Sequence, residues 1–220
     1  MEQEKLDEIF KKHKLWLEKV PGGERAVLRW ADLRWADLKE ADLRWADLKR
    51  ADLRWADLKR AVLREADLKR ADLREADLKR ADLKRADLRE ADLKRADLKR
   101  ADLREADLKE ANLKRADLKE ADLKGADLKM ANLKGADLRE ADLKGAALDY
   151  SCIPLWCGSL DVHFDDIQLY QIAYHLVRAG LYSKNASEET KKELSKLIDF
   201  ANKFHRVEQC GEIKREEMTE

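Results

Sequence analysis

The most regular feature of this sequence is a leucine that recurs every five residues from Leu28 to Leu148. Each of these leucines follows an alanine by two positions. An α-helix turns about 100° per residue, so leucines five apart would scatter around its surface and leave no apolar stripe. In an extended chain, by contrast, residues two apart point to the same side. The pattern therefore predicts short extended segments joined by corners, although most of the residues used are good helix formers.

Five residues per side and four sides would close a coil of 20 residues, and coils would stack about 4.8 Å apart. The 25 units of the repeat then make 6.25 coils, a rod roughly 30 Å long. Alanine is small enough to let the walls approach, and the leucines fill the interior in vertical ladders. The first predicted members of this core are Leu33, Leu38, Leu43, Leu48, Leu53, Leu58, Leu63 and Leu68.

The repeated phrase A-[DN]-L-x-x, as in Ala31-Asp32-Leu33 and Ala111-Asn112-Leu113, resembles the pentapeptide-repeat family. The resemblance covers 25 units in unbroken register, more than half of the chain. It implies an all-β solenoid, a right-handed quadrilateral β-helix of about six coils. Three units depart from the phrase, with Val27, Val62 and Ala147 in place of Asp or Asn.

The corners carry a separate prediction. A type II corner needs positive φ at its third residue, which favours glycine. The second residue after leucine is glycine at three positions only, Gly125, Gly135 and Gly145. The sequence therefore predicts type II corners near these units and other corner types in the first four coils, including those at Arg50, Glu65 and Arg70.

Charged residues make up 43% of the chain, yet its formal net charge is zero. The residue after each leucine is Lys or Arg in 24 of 25 units, and the residue before it is Asp in 20 units. This alternation predicts a solvated surface whose charges neutralise one another. It argues against nucleic-acid binding through the basic columns, because that binding depends on clustered positive charge.

The resemblance also implies an activity, since some pentapeptide-repeat proteins bind DNA gyrase or topoisomerase IV by imitating duplex DNA. Such mimicry needs a strongly negative surface, whereas residues 26–150 carry a net charge of +3 and a ladder of Lys and Arg. We therefore predict a non-catalytic structural or protein-interaction scaffold with an unknown protein partner. DNA mimicry is the disfavoured alternative. A third reading is an engineered or consensus repeat without a natural partner, which the uniformity of the repeats also fits.

Tryptophans near the start of the repeat form the candidate interaction surface: Trp30, Trp35, Trp45 and Trp55. Trp35 and Trp55 are separated by four units, one full coil, so they should stack in adjacent coils, while the other two fall on different faces. Exposed tryptophan is enriched at interaction hot spots. The structural alternative is an aromatic belt partly covered by the N-terminal segment.

Three segments follow from the change in pattern: an N-terminal capping helix in residues 1–21, the solenoid in 22–150 and a C-terminal helical cap in 151–220. An open β-helix exposes unpaired backbone at each end, so both ends need caps. The N-terminal helix should span residues 3–19, with Leu6 and Phe10 among its apolar residues, before Pro21-Gly22-Gly23 turns into the repeat.

The C-terminal segment predicts two helices, at about 165–180 and 187–206. We expect Asp165 or Asp166 to cap the first and Gly180 to end it, while Ser187 begins the second. This tail resembles the helical tail of some bacterial and phage pentapeptide-repeat proteins, and that resemblance implies no activity.

No pattern in the chain predicts catalysis, a cofactor or a metal. The six residues that could be drawn as a zinc set lack a usual ligand spacing: Cys152, Cys157, Cys210, His163, His175 and His205. The repeat's carboxylates point outward on a convex wall, which offers no pocket. With no secretory signal, no apolar run long enough to span a membrane and three cysteines interpreted as reduced, we expect a cytoplasmic protein that binds no membrane and is a monomer or weak homodimer.

Overall fold

The computed structural model describes residues 2–148, 166–181 and 187–203. The chain divides into two compact units, Met1–His163 and Phe164–Glu220. The first unit contains helix α1 (Gln3–Leu17) followed by the repeat, and the second contains α2 (Asp166–Leu181), α3 (Glu188–Ser195) and α4 (Ile198–Ala201).

The repeat is held in register by single-residue parallel bridges. Each bridge joins the residue before one leucine to its counterpart 20 positions later, from Val27↔Asp47 to Asp127↔Ala147. Because four five-residue units separate the partners, the chain returns to the same side once per coil, as the predicted four-sided coil requires. The described repeat contains these isolated bridges and turns but no longer strand.

We number the four sides of the coil by the residues that form the bridges. Side 1 carries positions 27 and 47, side 2 carries 32 and 52, side 3 carries 37 and 57, and side 4 carries 42 and 62, each continuing in steps of 20. Corner 1 follows side 1, and the other corners are numbered in the same way. Each corner is formed by the two residues after leucine.

Backbone carbonyls accept from four of the five backbone N–H groups in an inner unit, three of them in neighbouring coils and one within the corner. The N–H of Asp77 donates to the Ala56 carbonyl of the coil before (3.0 Å). Those of Leu78 and Arg80 donate to carbonyls of the coil after, at 2.7 and 2.9 Å. The alanine N–H closes each corner onto the leucine carbonyl three residues earlier. A buried backbone needs such partners, so each coil serves as the template for the next.

The fifth N–H group, on the basic residue after leucine, is satisfied by a side chain. Lys79 donates its N–H to Asp77 Oδ1, two residues earlier, at 3.2 Å. Asn112 accepts the same bond from Lys114 at 3.2 Å. This local turn explains why the phrase admits Asp or Asn at its second position, since both side chains supply the same acceptor.

The interior is built from leucine and alanine. The eight leucines from Leu33 to Leu68 that the sequence places inside are each at most 1% exposed. The alanines are equally buried from Ala46 to Ala141, whereas Ala31 and Ala36 in the first coil are partly exposed. The core is therefore complete in the inner coils and thinner at the rim of the first.

The corner prediction is wrong. Positive φ occurs at the second residue after leucine in every described unit, including Arg50 (57°), Glu65 (54°) and Arg70 (58°). With the alanine N–H bonded to the leucine carbonyl, these corners have the form of type II turns. Left-handed backbone costs a non-glycine residue about 1–2 kcal/mol. A hydrogen bond to the neighbouring coil offsets part of that cost, since the Arg50 N–H donates to the Lys69 carbonyl at 3.0 Å.

Helix α1 packs against the first coil and ends at Leu17, two residues before the predicted end. Its buried residues are Leu6 and His13, which are 1% and 0% exposed. His13 Nδ1 accepts a hydrogen bond from the Ala26 N–H (3.0 Å), at the first residue of the repeat. This bond fixes the helix to the start of the solenoid.

The turn after α1 depends on Gly23. A Cβ atom at this position would lie 2.2 Å from Trp16 N and 2.5 Å from the Leu15 carbonyl carbon, both backbone atoms of α1. Gly22 differs, since it has a φ of +84° but open space around it. The chain thus needs glycine at 23 for close approach and at 22 for conformation.

The second unit has its own small core of Tyr174, Val177, Leu181, Ile198 and Ala201. Helix α2 runs to Leu181, one residue beyond the predicted end at Gly180 and within the usual uncertainty of a helix boundary. Leu181 is buried in this core at 8% exposure.

The second tail helix also differs from the prediction of one helix over 187–206. Ser187 begins it as expected, accepting a hydrogen bond from the Thr190 N–H at 3.2 Å. It ends at Ser195, residues 196–197 form a turn, and α4 begins at Ile198. The break places Ile198 in the core. Asp165 and residues 204–206 lie outside the described residues.

Candidate interaction surface

The four belt tryptophans, Trp30, Trp35, Trp45 and Trp55, occupy the second corner position. Their left-handed backbone, with φ of 58–60°, directs the side chains away from the coil. Trp30 and Trp35 are 67% and 70% exposed, and Trp45 is 42% exposed, while Trp55 is half-buried. They occupy corners 1, 2 and 4, so the sequence-predicted belt is largely open to solvent.

Trp35 and Trp55 stack on corner 2, as their separation by one coil predicts. Their ring centroids are 4.7 Å apart and their planes differ by 10°. The Arg54 guanidinium lies 5.4 Å from the Trp55 ring centroid. An aromatic pair of this kind contributes about 0.5–1.5 kcal/mol beyond the area it buries. The pair is therefore a fixed aromatic platform with one ring, Trp35, widely exposed.

Trp45 is held by its neighbours. Its Nε1–H donates to Glu65 Oε2 in the next coil at 3.0 Å, and the Trp16 ring of α1 meets it edge-on with centroids 6.2 Å apart. Among the described residues, this is the one ring contact between α1 and the belt. The N-terminal segment thus covers part of the belt at corner 4 and leaves Trp30 and Trp35 open.

Sequence reasoning missed His13 and Trp16 of α1. The two rings stack with centroids 5.5 Å apart and planes 13° apart. Burial lowers the pKa of His13 below 6.5, against the raising effects of the Arg44 backbone and the Asp42 carboxylate. A signal was present, because Leu6, Ile9, His13 and Trp16 follow the spacing of one helix face.

Side 3 carries a continuous ladder of alternating charge. Lys59 Nζ lies 3.2 Å from Asp57 and 3.1 Å from Asp77, so one cation bridges two coils. The same arrangement recurs at Lys79 and its neighbours, with Nζ–Oδ2 distances of 3.3 and 3.0 Å. On this side, the predicted self-neutralising surface is present.

Asp137, the last aspartate of the side 3 ladder along the chain, shows the electrostatic effect of this pairing. A hydrogen bond from Arg139, reinforced by Lys119, lowers the pKa of Asp137 to about 2, although burial acts in the opposite direction. Some residues at the second corner position also pair with an opposite charge in the next coil. The pairs at 2.7 Å are Arg70–Glu90, Arg85–Glu105 and Arg100–Glu120. Such exposed pairs are individually weak, about 0–1 kcal/mol each.

Among the residues that the structure describes, no group of three or more His, Cys, Asp and Glu side chains could hold a metal ion. No helix in the described ranges is long and apolar enough to cross a membrane. The three cysteines, His163 and His205 lie outside those ranges, as does the side chain of His175.

The repeat is a four-sided β-solenoid, because each parallel coil contains four five-residue units. Its core consists of the leucines and alanines of stacked coils. The chain belongs to the pentapeptide repeat family: the family model described as "Pentapeptide repeats" matches eight copies, in stretches that together cover residues 26–149. Members of this family fold as right-handed quadrilateral β-helices.

Solved structures similar to this chain include other pentapeptide repeat proteins. HetL, involved in heterocyst differentiation regulation in Nostoc sp. strain PCC 7120, is 37% identical over 64% of this chain and 73% of its own, with a TM-score of 0.30. The protein alr5209 from Nostoc PCC 7120 is 37% identical over 45% of this chain and 84% of its own (TM-score 0.33).

QnrB1, a plasmid-mediated fluoroquinolone resistance protein, is 18% identical over 62% of this chain and 85% of its own (TM-score 0.27). Among curated proteins, none matches significantly. With TM-scores this low, the superpositions add nothing to the family assignment, which rests on the repeats.

Proposed function

We propose that this protein is a non-catalytic scaffold that binds a protein partner through the tryptophan belt. The observation that carries this proposal is the exposure of Trp30 (67%) and Trp35 (70%) on adjacent corners of the first coil. Large aromatic side chains that remain open on a folded surface are typical of interaction sites. The relative HetL is involved in the regulation of heterocyst differentiation, which is consistent with a role in protein interaction.

The backbone under the belt supports this role because it is already ordered. The N–H groups of Trp30 and Trp35 donate to Lys49 and Arg54 carbonyls of the next coil, both at 3.1 Å. A partner would therefore meet side chains whose backbone needs no further ordering, which lowers the entropic cost of binding.

We propose further that residues 1–21 cap a solenoid of about six coils in 22–150 and that 151–220 cap its other end. Burial of Leu6 and His13 against the first coil supports the N-terminal cap. Covering an open edge opposes end-to-end association, so we propose a monomeric or weakly dimeric protein. We propose separately that it acts in the cytoplasm.

The proposal excludes catalysis on chemical grounds. A catalytic carboxylate pair needs a pocket and unequal environments. Here carboxylates such as Asp57 and Asp77 repeat in equivalent settings on a convex wall, each within 3.2 Å of the Lys59 ammonium. That pairing also disfavours the DNA-mimic alternative, which needs uncompensated negative charge. We expect no inhibition of gyrase supercoiling, and no protection from a fluoroquinolone, up to tens of micromolar protein.

Site-specific photo-crosslinking in cells tests the scaffold proposal. A benzophenone amino acid replaces Trp35 in one variant and Arg80 in a control, since Arg80 occupies the same corner position outside the belt. We expect a protease-sensitive, nuclease-resistant adduct at position 35 and none at position 80. Equal labelling at both positions, or none at either, would overturn the proposal.

A further inference from the structure

The charges of the solenoid are not evenly distributed. Counted in steps of 20 residues from Ala26, the fourth to sixth coils comprise residues 86–145. In these coils, side 2 and its corner carry five cations against one carboxylate, Asp92, for a net charge of +4. We call these five residues the basic strip: Lys94, Arg95, Lys114, Arg115 and Lys134. Over the same coils, the other three sides with their corners carry net charges of −2, −1 and −1. The small positive excess of the whole repeat is thus concentrated on one corner.

Two asparagines produce this imbalance. Asn112 and Asn132 stand on side 2 where most units have aspartate. Asn132 accepts the Lys134 N–H at 3.1 Å, so it fulfils the backbone role of aspartate without its charge. Asn112 also donates its Nδ2–H to Asp92 Oδ1 at 3.0 Å. Asp92 is the one carboxylate on side 2 and its corner in these coils.

Four of the five cations of the strip form no ion pair among the residues that the structure describes. On side 3, Lys99 has carboxylates 3.6 and 3.0 Å away, in its own coil and the next. In the described part of the chain, by contrast, no carboxylate lies within ion-pair distance of Lys94, Lys114, Arg115 or Lys134. Arg95 reaches Glu75 at 3.6 Å. Four of the five are exposed, and Lys114 is half-buried.

The flanks of the strip restrict its occupant. Side 3 presents Asp97, Asp117 and Asp137 on one flank, and corner 1 presents Glu90 and Glu110 on the other. The three aspartates are paired with lysines and Glu90 with Arg70, and each flank has a negative net charge in these coils. A broad polyanion such as duplex DNA would therefore gain no attraction from either flank. A narrow acidic chain that follows the corner would contact the cations and avoid both flanks.

We propose that the basic strip binds an extended acidic segment of the partner protein, and this rests on the proposed scaffold function. Corner 2 also carries Trp35 and Trp55, stacked at 4.7 Å. From Lys134 to Trp35 the corner rises five coils, roughly 24 Å at about 4.8 Å per coil. An extended segment of about eight residues spans that distance at roughly 3.3 Å per residue. Its carboxylates contact the strip, and an apolar residue at its far end contacts Trp35.

Fluorescence anisotropy with the full chain tests the strip directly. The probes are a labelled eight-residue peptide of alternating Glu and Ser, and a labelled eight-nucleotide oligothymidine, each at 50 and 200 mM salt. The test variant is N112D/N132D, which should fold because Asp72 accepts the equivalent bond from Arg74 at 3.2 Å. The control, K69Q/K129Q, removes the same net charge from corner 1, where neither lysine forms an ion pair among the described residues.

We expect the acidic peptide to bind at low salt, to weaken at high salt and to lose roughly tenfold in affinity in N112D/N132D but not in the control. Equal weakening in both variants would overturn the proposal, because net charge alone would then explain binding. Tighter binding of the oligonucleotide than of the peptide would overturn it in favour of a nucleic-acid site. If N112D/N132D still yields the adduct at position 35, the scaffold proposal stands even where the strip fails.

Discussion

An inner coil finds partners for its backbone in the coils before and after it, whereas the first coil has such a neighbour on one side alone. Asp77 donates its N–H to the coil before it, and Leu78 donates its N–H to the coil after it. No leucine corner precedes Ala26, so its N–H is satisfied by the side chain of His13, from a helix outside the repeat. Repetition therefore stabilises the interior, and individual residues of α1 stabilise the end. The two regions should respond differently to substitution.

The largest difference is expected for core leucines. Leu83 is fully buried between coils, so Leu83→Ala should lower the free energy of unfolding by about 2–5 kcal/mol through lost burial and a cavity. Urea unfolding followed by circular dichroism measures this loss. Leu6→Ala, at a residue of α1 that is 1% exposed, should release the helix and leave the midpoint of the solenoid nearly unchanged. Equal shifts of that midpoint would contradict the division between end and interior.

The next effect concerns the turn from α1 into the repeat. Gly23→Ala places Cβ 2.2 Å from a backbone atom of Trp16, so α1 must move, and we expect a loss of about 2–3 kcal/mol in docking. Gly22→Ala is the matched control, with open space but a φ of +84° and a cost of about 1 kcal/mol. Hydrogen exchange of the α1 amides reports both. Faster exchange in Gly22→Ala than in Gly23→Ala would show that conformation, not close approach, governs the turn.

The sequence predicted the interior far better than the end. One leucine and one alanine in every five residues show which side chains point into the core. The register between coils follows because four sides of five residues bring position n next to position n+20. The corners could not be predicted from local preference, because the left-handed backbone at Arg50 is accompanied by a hydrogen bond to the next coil, which lies 19 residues further along the chain. The sequence predicted the turn at Gly23, but the contact of His13 with Ala26 and the close approach of Gly23 to Trp16 were missed because each occurs once.

The surface was predicted in part for a similar reason. Composition and spacing indicated mutual neutralisation, which side 3 shows at Lys59 and Lys79. Side 2 departs from it because Asn112 and Asn132 fall on the same side in adjacent coils, where they form a bridge. That alignment is visible only when the sequence is arranged by coil rather than read along the chain.

A smaller, pH-dependent effect is expected at His13. Its Nδ1 accepts the Ala26 N–H, so protonation at Nδ1 would place two donors face to face. Burial holds its pKa below 6.5 in the docked state, and the undocked state therefore binds more protons as the pH falls. Docking should be at full strength above about pH 6.5 and should weaken below it, toward the lowered pKa. Carboxylates titrate mainly below about pH 4 and do not affect this window.

Hydrogen exchange of α1 between pH 5 and 8, corrected for intrinsic rates, measures the effect of His13. We expect His13→Gln to weaken docking by about 1–2 kcal/mol, since a buried partner is lost, and to remove the pH dependence. Asp42, Arg25 and Arg44 also face His13 electrostatically. A variant that retained the wild-type slope would assign the titration to another group.

The smallest effect tests how strongly neighbouring coils impose the corner conformation. Gly125 has a φ of +67°, and a Cβ there would meet Glu105 Cγ at 3.7 Å, an ordinary contact. Gly125→Ala should therefore cost only the left-handed strain, about 1 kcal/mol after the entropy that alanine removes from the unfolded chain. Arg80→Ala is the control, because Arg80 already has a φ of 58° and forms no ion pair within the described residues. Thermal unfolding compares the two. If Gly125→Ala lowered the stability no more than Arg80→Ala, glycine would have no advantage over other residues at this corner. The stacking of neighbouring coils would then determine the corner conformation whatever residue stands at this position.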